Sequence, residues 1–287
     1  MRQTRKITAS KTQSFKIQDI SSSFLRSTFV ITLALFSSIP ILFIITVSFS
    51  KSGELYSGRL IPAGFTISNY TQLLLETDFL LWIKNSIYVS GMTAFLAVIL
   101  TSLSAYVLSR YAFKGRDTMT SSLLIVQLFP GIMSLVAIYK ILQFFKILDT
   151  LTALVLVYLA GAIPFTTWMI KGFFDTVPKS MEEAAALDGA GPFRIYISIV
   201  LPTMAPVLVV AFAFNFIAAY CDFLLAAVIL LDSKLYTLAL GLRLFLEGDF
   251  STNWPEFCAA ALLGAIPIIL IFFVIGGFGL KNANQTN

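Results

Sequence analysis

Histidine is missing altogether from these 287 residues, and charged side chains make up only 12% of them. The first absence excludes imidazole acid–base catalysis and histidine metal sites. The second excludes an ordinary soluble domain, in which about a quarter of residues are charged. Cysteine is scarce as well. Cys221 and Cys258 lie within or beside apolar stretches without CxxC spacing, and read as small buried hydrophobes. The pattern G-x-x-x-x-G-K-[ST] occurs nowhere, so the chain does not hold ATP in a P-loop of its own. With no metal cluster and no nucleophile motif either, a membrane enzyme is disfavoured. The chain reads as non-catalytic, with no cofactor of its own.

Apolar residues fill the space that charge leaves, at 57% hydrophobic and a mean hydropathy of +0.87. Six uncharged runs account for this: Phe29–Phe49, Asn85–Ser109, Thr118–Tyr139, Thr150–Ile170, Ile195–Cys221 and Phe257–Leu280. Each is 21 to 27 residues long, enough to cross a hydrocarbon core of ~30 Å as a helix. The fifth is expected to start after Pro202 and to continue past Asp222 through Phe223–Leu231. β-barrel strands would be about half as long and would alternate, which these runs do not. The expected fold is therefore all-α, a polytopic membrane protein of six transmembrane helices over 29–280, with tails at 1–28 and 281–287. Pro130, Pro164, Pro206 and Pro267 each fall inside a run and predict kinks or broken helices.

Orientation follows from Lys and Arg in short flanking segments. With the N-terminus in the cytoplasm, thirteen basic residues lie inside and seven outside, and the tail with Arg2, Arg5, Lys6, Lys11, Lys16 and Arg26 carries most of that difference. The first run is a full span without a small-residue cleavage pattern after a short core, and reads as a retained signal-anchor helix. The +5 net charge fits lipid headgroups of the cytoplasmic leaflet and requires no nucleic acid partner.

The most informative segment is the polar insertion 175–202. Ser180 and Glu183 have the spacing of a capping box. Ala184, Ala185 and Ala186 favour helix, and Gly189 suits the left-handed turn that ends one. Pro192 opens a second helix, with Phe193, Ile197, Val200 and Leu201 as its apolar face. The product is a bent two-helix hook with small residues along one arm, shaped to enter a groove on a partner. Its spacing, E-A-A-x3-G-x9-I-x-L-P, is filled at every fixed position by Glu183, Ala184, Ala185, Gly189, Ile199, Leu201 and Pro202, with Asp188 just before the glycine.

That spacing resembles the cytoplasmic coupling loop, or EAA loop, of the membrane subunits of bacterial ABC importers. The resemblance implies that the hook sits in a cleft of a separate ATPase and transmits its closure to the membrane helices. ATP and magnesium would then be bound by that partner and not by this chain. Further segments extend the likeness: Trp168-x-Ile170-Lys171-Gly172-x-Phe174, Gln127–Pro130, Ser134–Ala137, Tyr236–Gly241 and Phe257–Ala261 are similar to stretches of maltose/maltodextrin-type sugar importers. Within that group the chain is most similar to the second, six-span permease subunit. The implied partners are a sister permease, an ATPase dimer and an extracytoplasmic sugar-binding protein, in a bacterial plasma membrane with both termini cytoplasmic. In such importers the sister subunit supplies most sugar contacts, so no sugar-binding residue is assigned to this chain. Two departures stand out: Tyr220-Cys221 replaces the Trp-Asn often found before the acid, and the usual tail that reaches the ATPase is replaced by Gly279–Asn287.

Polar residues inside spans are the remaining signal, because they are costly in lipid and face an interior or a water path. Asp222, with Asn215 two turns earlier on a similar face, reads either as a translocation-path residue or as a carboxylate paired near the outer interface. Gln127 reads as a helix–helix hydrogen bond and Trp168 as an interfacial anchor. The outer loop Glu247–Glu256 is turn-prone, and in maltose-type importers the matching loop protrudes into the binding protein. Gly248, Asp249, Asn253 and Trp254 are the candidate contacts there. Malto-oligosaccharide is the substrate that the resemblance favours; other oligosaccharides or glycerol-phosphate compounds are alternatives. An ion-coupled secondary transporter is the competing class, but it would show paired half-repeats and several midplane ionisable groups, and the chain has one plausible intramembrane acid.

Overall fold

The computed structural model describes residues 26–51, 64–129, 131–246 and 253–283, with side chains as far as 275. Among them the chain is helical, and its one β feature is an isolated antiparallel bridge between Ser50 and Phe65. Four helices are long and apolar enough to cross a membrane, or up to six if two bent pairs each count as one span. The four are α1 (Arg26–Ser48), α3 (Phe79–Arg110), α6 (Leu151–Phe174) and α13 (Trp254–Ala283). Between α1 and α3 lies the short α2 (Ser68–Glu76).

The two bent pairs are where the six runs fail as straight spans. The third run is split into α4 (Arg116–Gln127) and α5 (Leu135–Phe144), with a bend of 88° across the break. The fifth opens as a second hook arm, α8 (Pro192–Ile195) and α9 (Leu201–Thr203), and turns through 77° into α10 (Ala205–Cys221). Pro206 stands in the first turn of α10, where a missing N–H costs nothing. Pro164 and Pro267, expected to kink or break their helices, lie inside α6 and α13 without ending either. Pro130 lies outside the described residues. α3 also begins six residues before the uncharged run, because Lys84 ends an uncharged window but not a helix. Asp222 is extended, at φ −72° and ψ 129°, so the fifth run stops there and resumes as α11 (Leu224–Ile229). Cys221 at that break is exposed and only Cys258 is buried, so half of the expectation about the cysteines is corrected.

The centre of the bundle is α3, packed against α6 and α10. Its buried side carries Ser90, Ala94, Ala97, Thr101 and Ala105, and Ala153 on α6 and Ala211 on α10 are buried too. Small residues let helix backbones approach closely, which is the main source of cohesion where lipid replaces water. At 32 residues, α3 is about 48 Å long and so exceeds a hydrocarbon core of ~30 Å. Its last turns reach the hook. α1, by contrast, has only 6% of its apolar window buried within the chain.

Part of the segment 232–246 is buried within the bundle. α12 (Leu238–Leu242) wedges between α3 and α13, with Leu238, Leu240 and Gly241 buried. Asn85 donates from one amide nitrogen to the carbonyls of Lys234 and Tyr236, both at 3.0 Å, and Ser86 Oγ accepts the Leu238 N–H at 2.7 Å. A Cβ at Gly241 would overlap the Trp82 indole, and one at Gly264 would meet the Leu238 side chain. Gly241→Ala is therefore expected to destabilise the protein by about 1–3 kcal/mol. Gly91→Ala on α3, where a Cβ meets nothing, should be neutral or stabilising by about 0.5–1 kcal/mol. Thermal melting of the two purified variants checks the pair, and equal melting temperatures would contradict the wedge.

Candidate functional site

The hook forms, though not with the caps expected of it. Its first arm is α7 (Ser180–Leu187), and the residue preceding it, Lys179, is already helical at φ −67° and makes no side-chain cap. Ser180 is thus inside the helix and the Ser180–Glu183 capping box is not made. Glu182 and Glu183 in the first turn favour the helix through its dipole. The far end matches the expectation. Gly189 has φ +84°, its N–H bonds the Ala186 carbonyl and the Ala190 N–H bonds the Ala185 carbonyl, both at 3.0 Å. These two bonds make the Schellman closure for which glycine is favoured.

The second arm presents a different face from the expected one. Five residues, Tyr196–Val200, form a π-helical segment between α8 and α9, and the wider turn shifts the phase of the side chains. Ile195, Tyr196 and Val200 are buried, Leu201 is half-buried, and Phe193 and Ile197 point outward. Of the residues singled out by the spacing, Glu183, Ala184, Asp188, Gly189 and Pro202 are exposed, while Ala185 and Ile199 are half-buried. The hook therefore has a docked side and a free side. Large apolar groups crowd the free one, with Leu187 90% and Phe193 71% exposed.

The docked side is held by a polar cluster that the sequence did not reveal. Arg110, at the end of α3, donates from Nε to Glu182 Oε1 at 2.6 Å, and the two side chains are only 7% and 12% exposed. The same guanidinium donates to Ser109 Oγ at 3.1 Å and to the carbonyls of Phe174 at 2.9 Å and Val177 at 3.1 Å. Tyr106 donates to the other Glu182 oxygen at 3.1 Å. Asp175 receives Ser109 Oγ at 2.5 Å and Lys171 Nζ at 2.8 Å. Burial alone would raise the Asp175 pKa, but the hydrogen bonds from Lys171 and Ser109, with the Lys171 and Arg110 charges, hold it below the usual carboxylate range. Arg110 counted in the sequence only toward orientation, and Glu182 carried no role. They are 72 residues apart, and no local pattern links them.

Asn215 and Asp222 both line a cavity of about 400 Å3 between α3, α4, α6 and α10. Asn215 exchanges hydrogen bonds with Thr166 on α6, and Asp222 Oδ1 accepts from Tyr158 at 2.9 Å and from the Leu225 N–H at 3.0 Å. Asp222 thus lines the cavity and is also paired within the bundle. Gln127 donates to the Gly161 carbonyl at 3.4 Å, a long helix–helix contact. Trp168 is 42% exposed beside Phe165. In the loop 247–256, Gly248 and Asp249 lie outside the described residues. The Asn253 side chain accepts the Glu256 N–H at 3.4 Å, at the start of α13, and Trp254 is 37% exposed.

A bundle with a docked, two-armed polar hook is the membrane-domain fold of ABC importers. A solved bacterial ABC transporter that imports the acidic polysaccharide alginate is similar at TM-score 0.76 and 20% identity, over 91% of this chain and 97% of that one. An inward-facing methionine ABC transporter is similar at TM-score 0.57, over 74% of this chain and 97% of that one. The chain belongs to the family of binding-protein-dependent transport system inner membrane components, whose profile matches residues 97–279. It is 37% identical over 254 residues to the maltose/maltodextrin transport system permease protein MalG of Vibrio vulnificus, covering 82% of this chain and 85% of that protein. It is 36% identical over 211 residues to the maltodextrin transport system permease protein MdxG of Bacillus subtilis, covering 74% and 76%. The chain is accordingly a multi-pass membrane permease subunit of a transport system, not a catalytic one.

Removing one partner of the buried pair leaves the other charge unpaired, a loss of about 3–5 kcal/mol. Arg110→Met and Glu182→Gln are therefore each expected to loosen the hook. The check is limited trypsin digestion, with faster cleavage after Lys179 and Arg194 than in the unaltered protein. Glu183→Ala, which removes only an exposed first-turn charge worth about 0.3–1 kcal/mol, should raise the cleavage rate far less.

Proposed function

We propose that this chain is one permease subunit of an ATP-driven, binding-protein-dependent importer of maltodextrins. A sister permease lies beside it, and an ATPase dimer that binds ATP and magnesium sits beneath it. An extracytoplasmic binding protein delivers the sugar. The observation that carries the reading is the two-sided hook, buried against α3 through Arg110 and Glu182 and free on the side of Glu183, Leu187 and Phe193. Such an element passes a push from a docked ATPase to the membrane helices instead of absorbing it. The hook, 175–202, and the tails 1–28 and 281–287 are then cytoplasmic, and 29–280 is the membrane domain. The substrate class is supported by the relatives named as maltose/maltodextrin and maltodextrin permeases. The exposed apolar corner of Leu128, Phe129, Ile132 and Met133 suits the sister subunit, and α1 suits lipid. Asn215 and Asp222 lie along the translocation path, and Trp254, with Gly248, Asp249 and Asn253, faces the binding protein.

Two measurements test this. In a variant lacking Cys221 and Cys258, a cysteine at Ser57 should react with an impermeant thiol reagent in intact cells and one at Ser180 should not. The reverse pattern would overturn the orientation. Gly189→Val places a β-branched residue at positive φ, a strain of about 1–2 kcal/mol, where no neighbouring atom would meet the new Cβ. It should insert normally yet lower ATP-dependent maltotriose uptake by roughly tenfold or more, the equivalent of about 1.4 kcal/mol. Full uptake by this variant, or uptake that survives loss of ATP and the binding protein, would contradict coupling through the hook.

A further inference from the structure

We propose that the π-helical turn Tyr196–Val200 sets the aim of the hook. It turns Phe193 and Ile197 of the second arm toward the ATPase, and Pro202 and Tyr196 are the positioning residues that hold it there. The proposal rests on the reading of the hook as an ATPase-docking element, and adds which face of the second arm is presented and what fixes it.

The turn has a cause in the chain. The Leu201 N–H bonds the Tyr196 carbonyl, five residues back instead of four. Pro202 comes next. In an ordinary α turn its ring would meet the carbonyl four residues earlier, that of Ser198, and it has no N–H to bond that oxygen. Widening the helix by one residue just before the proline carries the backbone past this clash. Such turns are rare, and they occur mostly as single bulges inside α-helices, often at functional sites.

One extra residue in a turn rotates everything before it. At 3.6 residues per turn, about 100° per residue, Phe193, Tyr196 and Ile197 would fall on the buried side of Val200, and Ile195 on the opposite one. The structure has another phase. Ile195 and Tyr196 are 7% and 6% exposed, whereas Phe193 and Ile197 are 71% and 44% exposed. Apolar groups that an unbroken helix would bury against the bundle are thus left for a partner, beside Leu187 of the first arm. Glu183, Asp188 and Arg194 stand exposed among them, a mixture of charged and apolar groups that suits a groove on a protein and not the acyl region of lipid.

Tyr196 locks the phase. Ser102 on α3 donates its hydroxyl proton to the Ile99 carbonyl at 3.0 Å, so the Tyr196 hydroxyl, 2.8 Å from Ser102 Oγ, is the donor of that second bond. The Tyr196 ring packs on Tyr106, with centroids 5.0 Å apart. Turning the arm to the α phase would carry the Tyr196 hydroxyl away from Ser102 and bring up Phe193, which has no hydroxyl to replace it. The first arm is held separately, by Arg110 and Glu182. Two fastenings on α3 therefore aim the two arms.

The test is photo-crosslinking in the purified whole importer, with benzoylphenylalanine placed singly at Leu187, Phe193 or Ile197. All three side chains are exposed, so the label fits without disturbing the bundle. Each should capture the ATPase in the otherwise unaltered importer. Tyr196→Phe with Pro202→Ala removes both holds and lets the turn close to the α phase. The Phe193 crosslink should then fall at least roughly fivefold, the effect of one hydrogen bond on the balance of the two phases, while the Leu187 crosslink persists. Deleting Ser198 in that background takes the extra residue out of the chain itself. An α turn then restores the original aim, and the Phe193 crosslink should return. A merely structural role for Tyr196 and Pro202 would instead lower assembly and all three crosslinks alike, and the deletion would worsen the loss. An unchanged Phe193 crosslink in the double variant, or no recovery on deletion, overturns the proposal. Capture from Leu187 but not from Phe193 or Ile197 in the unaltered importer overturns it as well and leaves the coupling reading standing. Capture from none of the three sites overturns both.

Discussion

The guanidinium of Arg110 is the tie on which the hook side of this protein depends. Taking a charged pair out of water is costly unless the remaining donors and acceptors are also satisfied. Here four hydrogen bonds from one planar group reach the α7 carboxylate, the Ser109 hydroxyl, the Phe174 carbonyl at the end of α6 and the Val177 carbonyl just beyond it. Arg suits this position better than Lys, because its fixed fork meets several acceptors at once without further loss of freedom. Beside it, the Tyr106 ring packs against Tyr196 and Phe174, with ring centroids 5.0 and 5.9 Å away. The end of α6 and the start of α7, 64 and 72 residues away in sequence, are thereby fixed to one side chain of α3, and the hook acquires a defined angle to the membrane helices.

α3 and α10 distribute rigidity in opposite ways. α3 is unbroken and carries two separate fastenings: Asn85 and Ser86 to the wedge near α12, and Arg110 at the hook. α10 is interrupted at both ends, by a 77° turn on the hook side and by extended backbone at Asp222. A π segment lies just before that turn, and such segments mark places where a helix changes phase. The hook is thus fixed to the unbroken α3, while the breaks in the helical run lie at the two ends of α10.

Much of this was legible in the sequence, because long uncharged runs and the E-A-A spacing are local signals. The all-α class, the hook, its Gly189 turn and the opening Pro192 follow from composition, backbone preference and spacing. The failures have physical causes. The capping box at Ser180 gave way to a helix that starts one residue earlier. The apolar face of the second arm was counted at 3.6 residues per turn and met a π segment. Charge marks the end of an uncharged window, but Lys84 does not mark the end of α3. The wedge at Leu238–Leu242 left no sign in the pattern, since five residues are too few to show a period. Arg110–Glu182 was invisible because long-range pairing leaves no trace in local pattern.

The two polar clusters show how one medium supports opposite uses of polarity. In a bilayer or a tightly packed interior, every buried donor and acceptor matters, because water is not there to replace a missing partner. At the hook, Arg110, Glu182, Asp175, Tyr106 and Ser109 satisfy one another, and a fully paired network is stiff and specific. At the cavity the network is incomplete, with the Thr93 hydroxyl unpaired and Asp222 engaged through one oxygen only. Breaking the closed cluster exposes charge, whereas the open one leaves a hydrogen bond unmet. The sequence supplies both with serine, threonine, tyrosine, asparagine and a few charges, and what separates them is which groups the helix packing leaves without a partner.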